Sequence, residues 1–207
     1  MSLLTSQLRK YPKPFITEGE LETLLDGSPN SRYSKVKRLL KQGNLLHLRR
    51  GLYCLTETLG YPVNPHPFEL AQHIYAPSYI SLESALSYHR LIPEGVYSIT
   101  SVCTGRSKEF HTPLGDFSYS HLPTESFYTE VELIKEDNYR FFIAKPWKAI
   151  CDYIYCYKIE TDNAAALFKS LRINNEDLPT LSKEAEKKLD EYYHHRRLTR
   201  FLKTIRN

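Results

Sequence analysis

Residues 28–55, SPNSRYSKVKRLLKQGNLLHLRRGLYCL, admit few local structures. Ser28 is a strong helix N-cap, and Pro29 falls in the first turn, where a helix has no use for the missing N–H. Tyr33, Val36, Leu39 and Leu40 recur at i, i+3, i+6 and i+7, the spacing of an apolar stripe. Gly43 is a natural stop. Two short apolar runs then flank Arg49-Arg50-Gly51, which predicts a hairpin with two guanidinium groups at its tip. At about 100° per residue, the helix face opposite the stripe holds Ser31, Ser34, Lys35, Arg38 and Lys41, with Asn30 and Lys37 beside it.

The preceding residues predict two more helices. Residues 3–11 place Leu3, Leu4 and Leu8 on one side, and Pro12 and Pro14 end that segment. Thr17 and Glu20 form a T-x-x-E capping box for a helix with Leu21, Leu24 and Leu25 inward and Gly27 as its stop. Three short helices and a basic hairpin, the second and third helices joined by a few residues with a glycine, are the order of a winged helix-turn-helix. In that arrangement the third helix enters the major groove. Arg49 and Arg50 then lie over phosphates or in the minor groove, both of which suit a planar guanidinium. Arg32 lies on the same basic helix. Tyr53 either adds a hydroxyl-to-phosphate bond or packs as a core tyrosine of the wing strand.

Charge distribution points the same way. The chain of 207 residues carries a formal charge of only +4. Between Ser28 and Thr56 there is no Asp or Glu, while Arg32, Lys35, Lys37, Arg38, Lys41, Arg49 and Arg50 all fall in that window. Without them the remaining chain would be net acidic. A run this one-sided favours a polyanion partner, which with a helix for the major groove means double-stranded DNA. Five to seven phosphate contacts would give a slope of log K against log salt of about −4 to −6.

The proline-rich stretch at residues 59–66 is expected to be a linker between a DNA-binding unit at 1–58 and a middle unit at 67–158. The middle reads as helices at HPFELAQHIY and ISLESALSYHRL, the second with Ser81 as N-cap. Strands follow at VYSITSVCTG, at EFHTPLGDFSYSHL around a Pro-Leu-Gly turn, and at FYTEVELIKEDNYRFFIAK turning at 136–138. Pro146 opens a helix with Ala149, Ile150, Tyr153, Ile154 and Tyr157 inward. Residues 159–207 read as helical. The expected class is α+β: a winged helix, a mixed α/β middle with an antiparallel sheet, and a helical C-terminus. The final helix is acidic early and basic late, at Arg196, Arg197, Arg200, Lys203 and Arg206. That order either complements the helix dipole or forms a second basic patch.

Little points to catalysis. Cys54, Cys103, Cys151 and Cys156 form no CxxC pair and read as reduced thiols of a cytoplasmic protein. The eight histidines show no HExxH or paired Cys/His spacing, so no metal or cofactor is expected. Phosphate-loop, GxSxG and GxGxxG motifs are absent, and the carboxylates are dispersed, so no enzyme activity is expected. No stretch approaches the ~20 apolar residues of a membrane span, and the N-terminus lacks a signal-peptide pattern. The sixteen tyrosines fall mostly at core spacing, which favours packing over base stacking.

Residues 77–123, PSYISLESALSYHRLIPEGVYSITSVCTGRSKEFHTPLGDFSYSHLP, resemble the central region of the AbiEi-type antitoxins of abortive-infection and antiviral defence loci. FIAKPWKAICDYIY is similar to that family's ASPEKALLDL segment, with Trp147 in place of the usual acidic residue. GSPNSRYSKVKRLLKQGNLLHLRRGLY resembles the winged helix that begins many members. The resemblance spans roughly residues 10–157. It implies a repressor of its own two-gene toxin–antitoxin operon, binding operator DNA through the winged helix, with a nucleotidyltransferase-like toxin as partner. Binding to inverted half-sites would make it a homodimer on DNA. The alternative is a protein-interaction module that binds a partner without specific DNA binding.

Overall fold

Capping chemistry sets where the first elements begin. The computed structural model describes residues 3–61, 65–122, 127–136, 139–160 and 163–205. Helix α1 (Leu3–Arg9), strand β1 (Phe15–Thr17), helices α2 (Glu18–Leu24) and α3 (Pro29–Lys41), and strands β2 (Leu45–Arg49) and β3 (Leu52–Leu55) form the N-terminal part. Thr17 Oγ1 accepts from the Glu20 N–H, and the Glu20 carboxylate accepts from the Thr17 N–H at 2.8 Å. Burial opposes ionisation of Glu20, but hydrogen bonds from Lys13, Thr17 and Tyr11 overcome it and hold its pKa at about 2. Ser28 caps α3 by accepting from the Ser31 N–H.

The sheet here has three strands, in the antiparallel order β1-β3-β2. Local sequence predicts only the hairpin. Strand β1 is three residues long, too short for an alternation, and its partners Leu52–Cys54 lie far along the chain. Arg50-Gly51 makes the hairpin turn, with Gly51 at φ +76°, a conformation that favours glycine. The Gly51 carbonyl accepts from the Glu18 N–H at 3.0 Å, which fastens the turn to the start of α2. Ile16, Leu45, Tyr53 and Leu55 pack with Leu8, Leu21, Leu25 and Leu39 in a small core. Phe15, Leu48, Leu52 and Cys54 belong instead to the main core. The small sheet is therefore shared between two cores.

The middle holds helix α4 (Pro67–Ile74), strand β4 (Ser78–Ile80), helix α5 (Leu82–Tyr88), strands β5 (Ser98–Cys103), β6 (Lys108–Thr112), β7 (Gly115–His121), β8 (Val131–Glu136) and β9 (Tyr139–Ala144), and helix α6 (Pro146–Cys156). The six strands run β6-β7-β5-β4-β9-β8. This sheet is mixed, not antiparallel throughout: β5 pairs with β7 and β4 with β9 in parallel. Strand β4 escaped the sequence reading because Ser-Tyr-Ile is buried at every position and carries no alternation. The turn expected at 136–138 involves residues 137 and 138, which lie outside the described residues, as do 62–64 of the expected linker.

Ser81 precedes α5 as expected but does not cap it. Its hydroxyl donates to Asp152, and the start of α5 is satisfied from a neighbouring strand: Thr100 Oγ1 accepts from the Ser84 N–H at 2.9 Å, while Ser84 Oγ accepts from the Thr100 N–H at 2.8 Å. At the C-terminus lie α7 (Ala164–Ser170), α8 (Lys183–Tyr193) and α9 (Arg196–Ile205). The last two were expected as one helix. They separate at His194, whose φ of +44° turns the chain, and Thr199 then donates to Asp190 to fix the corner. Because α9 opens on Arg196 and Arg197, where the dipole is positive, the dipole account suits the acidic start of α8 and Lys203 in the last turn of α9 but not those two arginines.

Helix α6 departs most from expectation. Tyr157, expected inward, is exposed and donates to Glu83, while Lys148 and Asp152 are 0% exposed. Lys148 Nζ donates to Asp152 Oδ1 at 2.5 Å, Tyr79 OH at 2.6 Å and Tyr193 OH at 3.0 Å, using all three of its protons. Asp152 accepts in addition from Tyr79, Ser81 and Tyr193. The Tyr192 ring lies 4.2 Å from Nζ. Loss of solvent pulls the Lys148 pKa below its ordinary value even against the attraction of Asp152. Burial likewise pushes Tyr79 and Tyr193 well above theirs, so both stay protonated donors. Asp152→Ala leaves this ammonium uncompensated and is expected to cost about 3–5 kcal/mol in urea unfolding, with Lys148→Met/Asp152→Leu recovering part of the loss. A single-mutant cost below about 1 kcal/mol would contradict this account of the cluster.

Candidate nucleic-acid interface

Helix α3 sits on the small core through Leu39, with Val36 and Leu40 packed against it. Its outward face carries Asn30, Tyr33, Ser34, Lys37, Arg38 and Lys41, all exposed. This face is rotated from the one expected. Tyr33 was read as inward and is 70% exposed. Angle alone could not place it, since Leu40 at i+7 lies only about 20° away around the helix. Position along the axis differs: Tyr33 stands two turns before Leu40 and is not among the residues packed on the small core.

Three expected DNA-binding cations are engaged within the chain. Arg32 Nε donates to the Leu25 carbonyl at 3.0 Å, and Lys35 Nζ donates to the Asp26 carbonyl at 2.6 Å. Both satisfy carbonyls just past the end of α2, where no further helical turn supplies N–H donors to them. Ser31 faces the same junction, supplying the amide that Ser28 caps and standing close against Gly27. Arg49 leaves the hairpin tip and donates through Nε to the carbonyl of Ile74, the last residue of α4, and through Nη1 to the Arg50 carbonyl at 2.8 Å. A bulge between His47 and Arg49 re-aims the strand for this.

Arg50 remains exposed at the turn. Tyr53 does not: it is 9% exposed in the small core. Burial raises its pKa, with the charge of Glu18 adding to the effect. Its packed reading is the one the structure favours. Ser34 Oγ donates to the Asn30 carbonyl one turn back, a bond a hydroxyl can exchange for another partner. Lys37, Arg38, Lys41 and Arg50 are paired with no carboxylate among the described residues.

The second basic patch divides. Arg197 is held by Glu160 at 2.5 and 2.9 Å. Arg196, Arg200 and Lys203 are exposed on α9, opposite buried Leu198, Phe201 and Leu202. Arg206 lies outside the described residues. Among the described residues no three His, Cys, Asp or Glu side chains converge as a metal site would need. Burial pushes the Cys54 thiol up to about 11 and raises Cys103, Cys151 and Cys156, so none is a ready thiolate. No helix is long and apolar enough to cross a membrane among the described residues.

No protein-family model matches the chain, and no curated protein matches it.

The geometry separates the two arginines of the hairpin. Arg49→Ala orphans the Ile74 carbonyl and is expected to lower stability by about 1–3 kcal/mol. Arg50→Ala should change it by less than about 0.5 kcal/mol. Thermal or urea unfolding of the two variants checks this, and equal effects would refute the assignment of Arg49 to the junction.

Proposed function

We propose that this chain is a DNA-binding transcriptional repressor that acts through α3 and the β2–β3 hairpin. The order of helix, strand, helix, helix and hairpin, with β1 completing the hairpin sheet, is that of a winged helix-turn-helix and supports the reading. The observation that carries it is the outward face of α3: three cations without carboxylate partners among the described residues, placed around Asn30, Tyr33 and Ser34. Asn and Ser carry the donors and acceptors that read base edges, and an exposed aromatic ring suits the thymine methyl group. Lys37, Arg38 and Lys41 supply phosphate contacts or, for Arg38, a two-pronged contact to guanine.

The antitoxin part of the reading is supported by the resemblance of residues 77–157 to AbiEi-type antitoxins. Lys148 and Asp152, the buried ion pair, stand at the lysine and aspartate of the ASPEKALLDL segment quoted above. The proposed partner is a nucleotidyltransferase-like toxin from the adjacent gene, and the site of action is the cytoplasm. Co-expression with that gene product tests this: rescue of growth and co-purification are expected, and growth arrest unchanged by the chain rejects it.

With Arg32, Lys35 and Arg49 engaged internally, Lys37, Arg38, Lys41 and Arg50 remain for phosphates. Fluorescence anisotropy on DNA from upstream of the gene should give a salt slope of about −3 to −4. Lys37→Ala/Arg38→Ala should weaken binding by about tenfold or more, and Tyr33→Ala should reduce the preference over unrelated DNA. Glu18 lies against the hairpin turn, its carboxylate 3.5 Å from where a Gly51 side chain would begin, so Glu18→Gln should tighten binding. A slope near zero, with no preference for upstream DNA, would overturn the reading.

A further inference from the structure

The segment entering β1, helix α4 and the β8–β9 hairpin enclose a cleft of about 460 Å³, within the range of small-molecule sites. Phe15 and Phe142 give it an apolar side. Lys13 and Arg140 supply its cationic side, beside the His73 imidazole and against one carboxylate, Glu69. We propose that this cleft binds a small organic oxyanion, a phosphate or carboxylate carried on an apolar body, which touches the N-terminal unit and the mixed sheet at once.

The polar groups differ in what they have left to offer. Gln72 gives its amide to the Phe142 carbonyl at 2.8 Å. Lys13 pairs with Glu20 at 2.8 Å but keeps a half-exposed side chain. Glu20 is itself held by the α2 capping box and does not line the cleft. The Arg140 side chain is exposed and forms no salt bridge among the described residues; its backbone N–H meets Glu69 at 3.4 Å, and its charge acts on Glu69 at longer range. His73 lies at the end of α4 with its ring 4.7 Å from that of Phe15. Its pKa is lowered, first by burial and then by the charges of Lys13 and Arg140, with Glu20 opposing. The imidazole thus senses the positive field that an oxyanion would neutralise. An anion between Lys13 and Arg140 raises the His73 pKa, and by linkage binds more tightly as pH falls through it. Of the carboxylates nearby, Glu69 has its pKa raised by burial, so it loses its charge sooner as pH falls and then opposes the field less.

The site reads independently of DNA binding, and its test needs no DNA. The His73 imidazole resonance, assigned by its loss in His73→Gln, would be titrated with phenyl phosphate, with inorganic phosphate and benzyl alcohol as head-only and body-only probes. Saturable binding of phenyl phosphate with a rise in the His73 pKa is expected, weaker by about tenfold in Arg140→Gln. Arg140→Gln removes no side-chain hydrogen bond among the described residues, and its unliganded thermal midpoint checks that the fold is kept; Lys13→Gln is the second variant. Any of three results overturns the proposal: no saturable shift at about 10 mM, equal affinity in both variants and wild type, or inorganic phosphate binding as tightly as phenyl phosphate. A shift produced by duplex DNA but not by phenyl phosphate would also overturn it, assigning the cations to the nucleic acid path.

Discussion

An ammonium and a carboxylate with no access to water sit where strand β4, helix α6 and helix α8 meet, and the placement of the C-terminal half depends on them. Removing both charges from solvent is costly, and their mutual attraction offsets this only when every remaining proton and lone pair is matched. Here Lys148 uses its three protons on Asp152, Tyr79 and Tyr193, and Asp152 receives the hydroxyls of Tyr79, Ser81 and Tyr193. Lys148 and Asp152 share α6, while Tyr79 comes from β4, Ser81 from the residue before α5 and Tyr193 from α8. Displacing the Tyr193 hydroxyl would leave a proton of Lys148 and a lone pair of Asp152 unmatched. The cluster therefore selects one packing of α8 against the sheet, where apolar contact alone would tolerate several.

A second junction fixes the N-terminal part. The three-stranded sheet buries one face in its own small core and turns Phe15, Leu48, Leu52 and Cys54 into the main core. Arg49 adds a directed bond to the end of α4. Helix α3 and the hairpin turn are thus held in fixed orientation to the mixed sheet. A ligand in the cleft beside β1 would act on this same junction, since Phe15 belongs both to the cleft and to the main core.

The basic window sorts its cations by the acceptors within reach. The end of α2 exposes carbonyls that need donors, and Arg32 and Lys35 are the cations one turn of α3 brings to them. The end of α4 takes Arg49 by the same logic. Lys37, Arg38 and Lys41 fall on the exposed side of α3, and Arg50 projects from a turn. A charge count read along the sequence therefore overstates what is available to a polyanion, because a cation's first role can be to satisfy a backbone carbonyl of its own chain.

The sequence by itself determined the elements whose information is local. The Thr17–Glu20 box, the Ser28 cap, Pro29, Pro146 and the glycine at the Arg50-Gly51 turn act on their immediate neighbours, and each element begins or turns where they stand. The acid-free window was equally legible, since it needs no partner to be seen. Tertiary structure decided everything carried by partners distant in sequence: strands β1 and β4, whose three residues each pair with segments far along the chain, the parallel pairings within the mixed sheet, and the cap that Thr100 lends to α5. It also decided the break at His194, the outward position of Tyr33, and the assembly of Lys148 and Asp152 with tyrosines from two other elements. A three-residue strand or a buried charge has no signature of its own, because what stabilises it is the geometry of groups that only the folded chain brings together.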